Sequence, residues 1–281
     1  MNDTIDIGLI NTLEINRFTD NGAYLKAKDE EELLLPNSYL TDVMKEGDLV
    51  EVFVYTDSED RLVATTTYPK GIRGDFIVTE VVDIAPFGAF VDIGLPKDLL
   101  VPKAKQKTQY EIGDKKAIFI TLDDKTNRLI GTEKINNYFL TDTKKLKKNQ
   151  KVNILIIQKT DLGYKVIVEN CYEGLVFNNE IFQTIEIGDR LEAYIKNKRP
   201  DGKLDIILQM VGKKNVQNQA GEKIIQLLEQ NNKFLPFTYK SDPEAIKEQF
   251  GLSKKNFKAT LTQLINENKI TLDEKGISLI I

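Results

Sequence analysis

Phe87-Gly88-Ala89-Phe90-Val91 repeats, 66 positions further on, the stretch Asn21-Gly22-Ala23-Tyr24-Leu25. The echo extends in both directions. Gly8 recurs as Gly74, Pro36 as Pro102, Leu33-Leu34 as Leu99-Leu100, and the Gly47-Asp48 pair as Gly113-Asp114. A repeat of this length is a small domain with its own core, too large to be one turn of a solenoid.

Within the first copy, apolar residues alternate in period two through Ile5, Ile7, Leu9, Leu13 and Ile15. The chain turns at Asp20-Asn21-Gly22 and continues through Ala23-Tyr24-Leu25. It forms a short run at Leu33 to Leu35, stopped by Pro36, then Leu49 to Tyr55, a turn at Asp57 to Asp60, and Leu62 to Thr66. Five short strands at this spacing predict a small closed β-barrel. The second copy predicts strands at Phe76 to Ile84, Ala89 to Ile93, Leu99 to Val101, Lys116 to Leu122 and Leu129 to Thr132. The linker Tyr68-Pro69-Lys70-Gly71 separates the two. After the lysine-rich linker Lys144 to Lys148 comes a diverged third copy: Val152 to Gln158, Tyr164 to Val168, Gly174 to Phe177, Leu191 to Lys196 and Leu204 to Leu208. Its Gly188-Asp189 keeps the repeated pair, and Arg199-Pro200-Asp201-Gly202-Lys203 has the turn chemistry of a hairpin.

From Val216 the apolar period lengthens to that of a helix, marked by Ile224, Leu227 and Leu228. Asp242-Pro243-Glu244 starts a second helix, with Asp as N-cap and Pro in the first helical position, and Gly251 ends it. Ser253 caps a third, whose buried stripe is Phe257, Leu261, Leu264 and Ile265. A hairpin from Ile270 to Ile281 closes the chain. Three helices and a hairpin make a winged helix. The fold class is therefore mainly β with a C-terminal α+β domain, divided as 1–67, 73–134, 148–210 and 216–281.

Composition narrows the chemistry. Histidine is absent and Cys171 is the one cysteine, so the usual neutral-pH acid–base group is missing and zinc sites fail on ligand count. No phosphate-cradling glycine motif or nucleophile elbow occurs. No enzyme, cofactor or metal is expected. The lone thiol and the lack of a long apolar run or basic leader point to a cytoplasmic protein without membrane contact. The net charge of −4 is uneven: −9 over residues 1–72, +2 over 73–212 and +3 over 213–281. A polyanion is thus expected mainly on the later two thirds.

Phe87-Gly88-Ala89-Phe90-Val91, followed by Leu99-Leu100-Val101-Pro102 and Gly113-Asp114, resembles the RNA-binding repeat of ribosomal protein S1, an OB-type five-stranded barrel. The layout of three such barrels and a winged helix resembles the conserved virulence factor B (CvfB/YitL) family of bacterial RNA-binding proteins. The segments Tyr172 to Phe182, Gly188 to Asp205 and Leu235 to Lys258 also carry this likeness. The resemblance implies tandem S1-type OB-fold barrels that bind single-stranded RNA with a regulatory outcome and no catalysis.

By that resemblance Phe87 and Phe90 are stacking platforms and Arg128 contacts the RNA backbone. Pro102 stands where many such domains have a base-contacting His. In the first copy Tyr24 and Arg61 take the aromatic and arginine places. In the third, Lys165 gives the equivalent stretch a cationic character, Phe177 fills the His place and Lys203 the arginine place, beside Lys196, Lys198 and Arg199 on one hairpin. Lys254, Lys255 and Lys258 lie early in the third helix, where cations oppose the helix dipole and hint at an anion. Each has a plainer alternative. Phe87 and Phe90 can be barrel filling, Phe177 core beneath the following helix, Arg61 and Arg128 solvated hairpin ends, and the lysines a solvated face. Two rival functions stand beside RNA binding: a DNA-binding transcription regulator led by the winged helix, and a protein-interaction scaffold.

Overall fold

In a computed structural model the described residues are 1–57, 59, 61–181, 183–209 and 213–280, with 213–219 described by backbone alone. Ser58 and Asp60 of the first hairpin turn, Phe182, and the range ends Met210 and Ile281 lie outside them. Two units result, Met1–Leu208 and Gln209–Ile281.

Alternating burial closes the first barrel. Its strands are β1 (Ile10–Thr19), β2 (Gly22–Lys26), β3 (Glu32–Pro36), β4 (Leu49–Thr56) and β5 (Leu62–Thr65), joined in the ring β1-β2-β3-β5-β4. Leu13, Ile15, Ala23, Leu25, Leu35 and Val54 fill the interior. The second barrel has β6 (Phe76–Ala85), β7 (Gly88–Val91), β8 (Leu99–Pro102), β9 (Lys115–Leu122) and β10 (Leu129–Thr132). Its sheet order, β10-β9-β6-β7-β8, is the same ring opened between β8 and β10. Side chains meet across that seam, since a Cβ on Gly131 would lie 2.9 Å from Val101 Cγ2. The third barrel, β11 (Lys151–Thr160), β12 (Gly163–Val168), β13 (Tyr172–Phe177), β14 (Arg190–Lys198) and β15 (Leu204–Ile207), closes as β11-β12-β13-β15-β14.

The repeated glycine and aspartate now have a physical cause. Each first strand bulges at the same place, after Ile15, Val81 and Ile156. The amide of Gly47 donates to the carbonyl of Ile15, whose own amide donates to Asp48; Gly113-Asp114 and Gly188-Asp189 grip Val81 and Ile156 identically. The Asp48, Asp114 and Asp189 carboxylates then accept the amide three residues back at 2.8, 2.9 and 2.7 Å. The diverged third copy keeps the pair because the bulge needs it.

The first strand begins later than its alternation predicts. Ile5, Ile7 and Leu9 precede β1, and Gly8 breaks the extended run at φ +79°. The side chain of Asn11 accepts from the Asp6 amide and donates to the Asp6 and Leu9 carbonyls, folding the segment over the barrel. The lysine-rich stretch is not a free linker either. Leu146 enters the third barrel's core, and Lys198 Nζ donates to the carbonyls of Thr143 and Leu146.

The three barrels pack directly. Phe53 of β4, with Ile10 and Tyr55, joins the apolar cluster of the second barrel. Between the second and third barrels, Phe76, Phe119, Tyr138 and Phe139 meet Leu155, Ile157 and Ile167. Phe139 stacks on Phe76 at 5.1 Å and Tyr138 on Phe119 at 3.9 Å. Asn170, in the β12–β13 turn, accepts from the Phe76 amide at 2.9 Å and donates to Asp75 Oδ1 at 2.9 Å, while Arg190 donates to the Phe76 carbonyl at 3.2 Å.

The second unit has α1 (Lys213–Gln230), α2 (Pro243–Phe250) and α3 (Lys254–Asn266), with a sheet of β16 (Phe234–Leu235), β18 (Ile277–Leu279) and β17 (Ile270–Leu272) in that order. Asp242 accepts from the Glu244 and Ala245 amides, Gly251 ends α2 in the left-handed region, and Ser253 caps α3. Phe250, Phe257, Leu261 and Leu264 pack against Ile224 and Leu228. The added β16 pairs Leu235 with Ile277, making the wing three-stranded. Its two residues were too few to show an alternation. Among the described residues no helix is long and apolar enough to cross a membrane.

Candidate nucleic-acid interface

Strand pairing places one outward row at the same position in each barrel. In the second barrel Asp83, Phe90 and Leu100 lie directly opposite one another across β6, β7 and β8. The equivalent rows are Arg17–Tyr24–Leu34 in the first and Gln158–Lys165–Leu175 in the third. Glycines Gly22, Gly88 and Gly163 sit two residues before the central member. A Cβ there would lie 2.1, 2.6 or 2.0 Å from a carbonyl oxygen of the neighbouring strand. Only glycine lets β2, β7 and β12 approach so closely, which brings the tip of each hairpin beside its row.

In the second barrel Ala89 and Val91 point inward and are buried, so Phe90 between them points outward and is half-buried. Phe87, in the turn before Gly88, is 62% exposed. The two rings meet edge to face, 6.1 Å apart at 89°. Ile84 is exposed beside them, and a cleft of about 660 Å³ adjoins, lined by Ile84, Pro86, Lys103, Lys107, Gln109 and Tyr110. Arg128 is exposed at the start of the last hairpin strand.

The first barrel is arranged differently. The Arg17 guanidinium lies 3.9 Å from the Tyr24 ring centroid and pairs with Glu32 at 3.0 Å. Hydrogen bonds from Asn16 and then Arg17 hold the Glu32 carboxyl below the usual carboxylate range. One face of Tyr24 is thus already covered. Arg61 is held between Asp57, at 2.7 Å, and Glu59, at 2.9 Å.

The third barrel brings Lys165, Arg199 and Lys203 to one groove of about 360 Å³ with Leu162 and Glu173. Arg199 stands 5.7 Å from the Phe177 ring centroid, and Phe177 is half-buried. The hairpin cations have internal partners. Lys196 pairs with Glu180, Arg199 with Asp205 at 2.7 Å and Lys203 with Glu173 at 3.1 Å, while Lys198 is spent on the two carbonyls already described. Lys165 forms no ion pair among the described residues. In α3, Lys254 is half-buried and reaches the Lys240 carbonyl at 3.4 Å; Lys255 and Lys258 are exposed.

Sequence reading missed Arg17 and Asp83, because neither is near its aromatic partner along the chain. Counting back from the shared hairpin through the bulge would have found both. It also missed Lys103 and Lys107, which only the fold of the β8–β9 connection brings beside the Phe87 turn.

Comparison with known proteins bears on the first barrel and the winged helix directly. Residues 7–67 match the S1 domain model, and residues 222–279 match the CvfB-like winged helix domain. Protein YitL of Bacillus subtilis is 28% identical over 266 residues, covering 92% of this chain and 89% of that protein. Conserved virulence factor B of Staphylococcus aureus strain N315 is 27% identical over 288 residues, covering 97% and 96%. A solved multidomain protein with nucleic acid binding domains from Streptococcus pneumoniae aligns over 98% of both chains at 25% identity and a TM-score of 0.45. With its three five-stranded barrels and its winged helix, this chain thus carries an S1 domain and a CvfB-like winged helix domain, and it is similar over nearly its whole length to conserved virulence factor B and YitL.

Proposed function

We propose that this protein binds single-stranded RNA without catalysis, in the cytoplasm, and acts in post-transcriptional regulation of gene expression. The observation that carries the reading is the outward pair Phe87 and Phe90 on the second barrel. An exposed ring stacks on any unpaired base, worth roughly 1–3 kcal/mol per base, and a duplex offers no such open base faces. Lys103 and Lys107 in the cleft that shares Pro86 and Gly88 of the Phe87 turn, and Lys165 in the next barrel, supply cations for the phosphates. Burial, then Glu169, pushes the Cys171 thiol up, the opposite of an activated thiolate.

The test is titration with an unstructured RNA at two salt concentrations. Replacing both Phe87 and Phe90 with Ala should weaken binding at least tenfold, and parental affinity in that variant would defeat the proposal. One observation favours a second reading, duplex DNA held by the winged helix. Lys255 and Lys258 share the exposed face of α3. On that reading duplex DNA outcompetes single-stranded RNA and Lys255→Glu abolishes binding.

A further inference from the structure

The shared row differs in charge beside its central residue. Opposite Tyr24 stands a guanidinium, opposite Lys165 an amide, and opposite Phe90 a carboxylate. Directly paired residues of an antiparallel sheet put their Cβ atoms about 4.5–5.5 Å apart on one face. Asp83 therefore stands beside Phe90 on the same outer face of the sheet. It is exposed and makes no ion pair among the described residues. Its Oδ1 accepts from the Ile84 amide at 2.8 Å, which fixes the side chain. Asp98 lies close enough that its own carboxyl is raised, first by burial and then by Asp92 and Asp83. A phosphate is repelled from this carboxylate. A base edge carrying N–H groups is not.

We propose that Asp83 is a specificity-determining residue that selects guanine on the Phe87–Phe90 platform. Guanine presents two adjacent donors, N1–H and the N2 amino group, which a carboxylate accepts together. Adenine and cytosine each offer one amino group beside an acceptor nitrogen. Uracil offers one N–H flanked by two carbonyls that repel the carboxylate. The first barrel, with Arg17 in the same place, lacks this acceptor. The inference rests on the stacking reading above and adds which base is stacked.

The experiment compares U-tract RNA oligonucleotides of equal length, with and without one central G, by fluorescence anisotropy on the full chain. A bidentate base contact discriminates by roughly tenfold, so the parent should prefer the G-containing oligonucleotide by about that factor. Asp83→Asn keeps the Oδ1 that caps Ile84 and should bring the ratio near one, with U-tract affinity unchanged or higher. Asp83→Ala, with its melting temperature measured alongside, should do the same. No G preference in the parent, or an unchanged ratio in both variants, overturns the inference. If the variants behave in that unchanged way while the double Phe variant loses all binding, the platform stands and only the assignment of Asp83 falls. If the double Phe variant binds every oligonucleotide like the parent, the stacking reading itself falls.

Discussion

Replacing Asn170 with Ala should loosen the second barrel from the third. Asn170 sits in the left-handed region at φ +54° and makes three bonds into the neighbouring barrel: it accepts from the Phe76 amide and donates to Asp75 and the Gly74 carbonyl. Phe76 is 1% exposed, so its amide has no water to fall back on. An unpaired buried donor costs about 1–3 kcal/mol, and placing Ala in left-handed geometry costs roughly 1–2 kcal/mol more. About 3 kcal/mol in total lowers the melting temperature of a unit this size by roughly 6–12 °C. Asn170→Gly loses the same bonds but tolerates the backbone, so it should lie between parent and Ala. Circular dichroism follows the melt, because the chain has no tryptophan. Hydrogen exchange at the Phe76 amide reads the latch directly. A melting temperature within 2 °C of the parent, with Phe76 protection unchanged, would refute the account.

Other consequences follow from single contacts. Gly88→Ala puts a Cβ 2.6 Å from the Val101 carbonyl oxygen, so β7 must shift; we expect a loss of about 2 kcal/mol in a urea melt and weaker RNA binding through the displaced Phe87. Tyr24→Ala should change RNA affinity less than twofold, since Arg17 already covers one face of that ring, whereas Phe90→Ala should cost about tenfold in the same titration. The hydrogen bond from Lys70, then the Gly94 amide, holds the Asp92 carboxyl below its ordinary 3.8. A depressed carboxylate stabilises the fold above its unfolded pKa and loses that contribution as pH falls through the folded one. The melting temperature should therefore hold from pH 7 to about 5 and fall below about 4, less steeply in Lys70→Met.

The repeat was legible because its anchors answer backbone demands. Gly22 and Gly88 permit a close strand approach, and the Gly-Asp pairs hold a bulge, so both survive where side chains on the surface change. The winged helix was legible for a similar reason, since Asp242, Gly251 and Ser253 cap real helix ends. The start of β1 was not, because Ile5 and Ile7 alternate like a strand while the segment folds over, with Ile5 against the barrel core and the turn pinned by Asn11. Nor was the electrostatics of the candidate surface. Lysines 196, 198 and 203 look like a free cationic run, but Glu180 pairs with Lys196, Glu173 pairs with Lys203, and the carbonyls of Thr143 and Leu146 take up Lys198, partners that only the folded barrel brings together. Packing between barrels was invisible too: Phe53 and Phe76 read as ordinary strand residues, yet their rings are buried at contacts between barrels or with the following segment.

Those internal ion pairs bear on how the third barrel meets a phosphate. Binding at Lys203 or Arg199 exchanges Glu173 or Asp205 for the ligand, and the released carboxylate stays nearby to repel it. Lys165, with no ion pair among the described residues, has no such exchange to make. Each phosphate neutralised on a single strand contributes about −0.7 to the slope of log K against log salt. Lys165→Ala should therefore make the slope shallower by about 0.7, and Lys203→Ala by less than half as much. Glu173→Gln should move Lys203 toward the behaviour of Lys165, steepening the slope and tightening binding at low salt. Equal slope changes for Lys165→Ala and Lys203→Ala would mean that the Glu173 pair opens freely, and the groove would then act as a plain cationic surface.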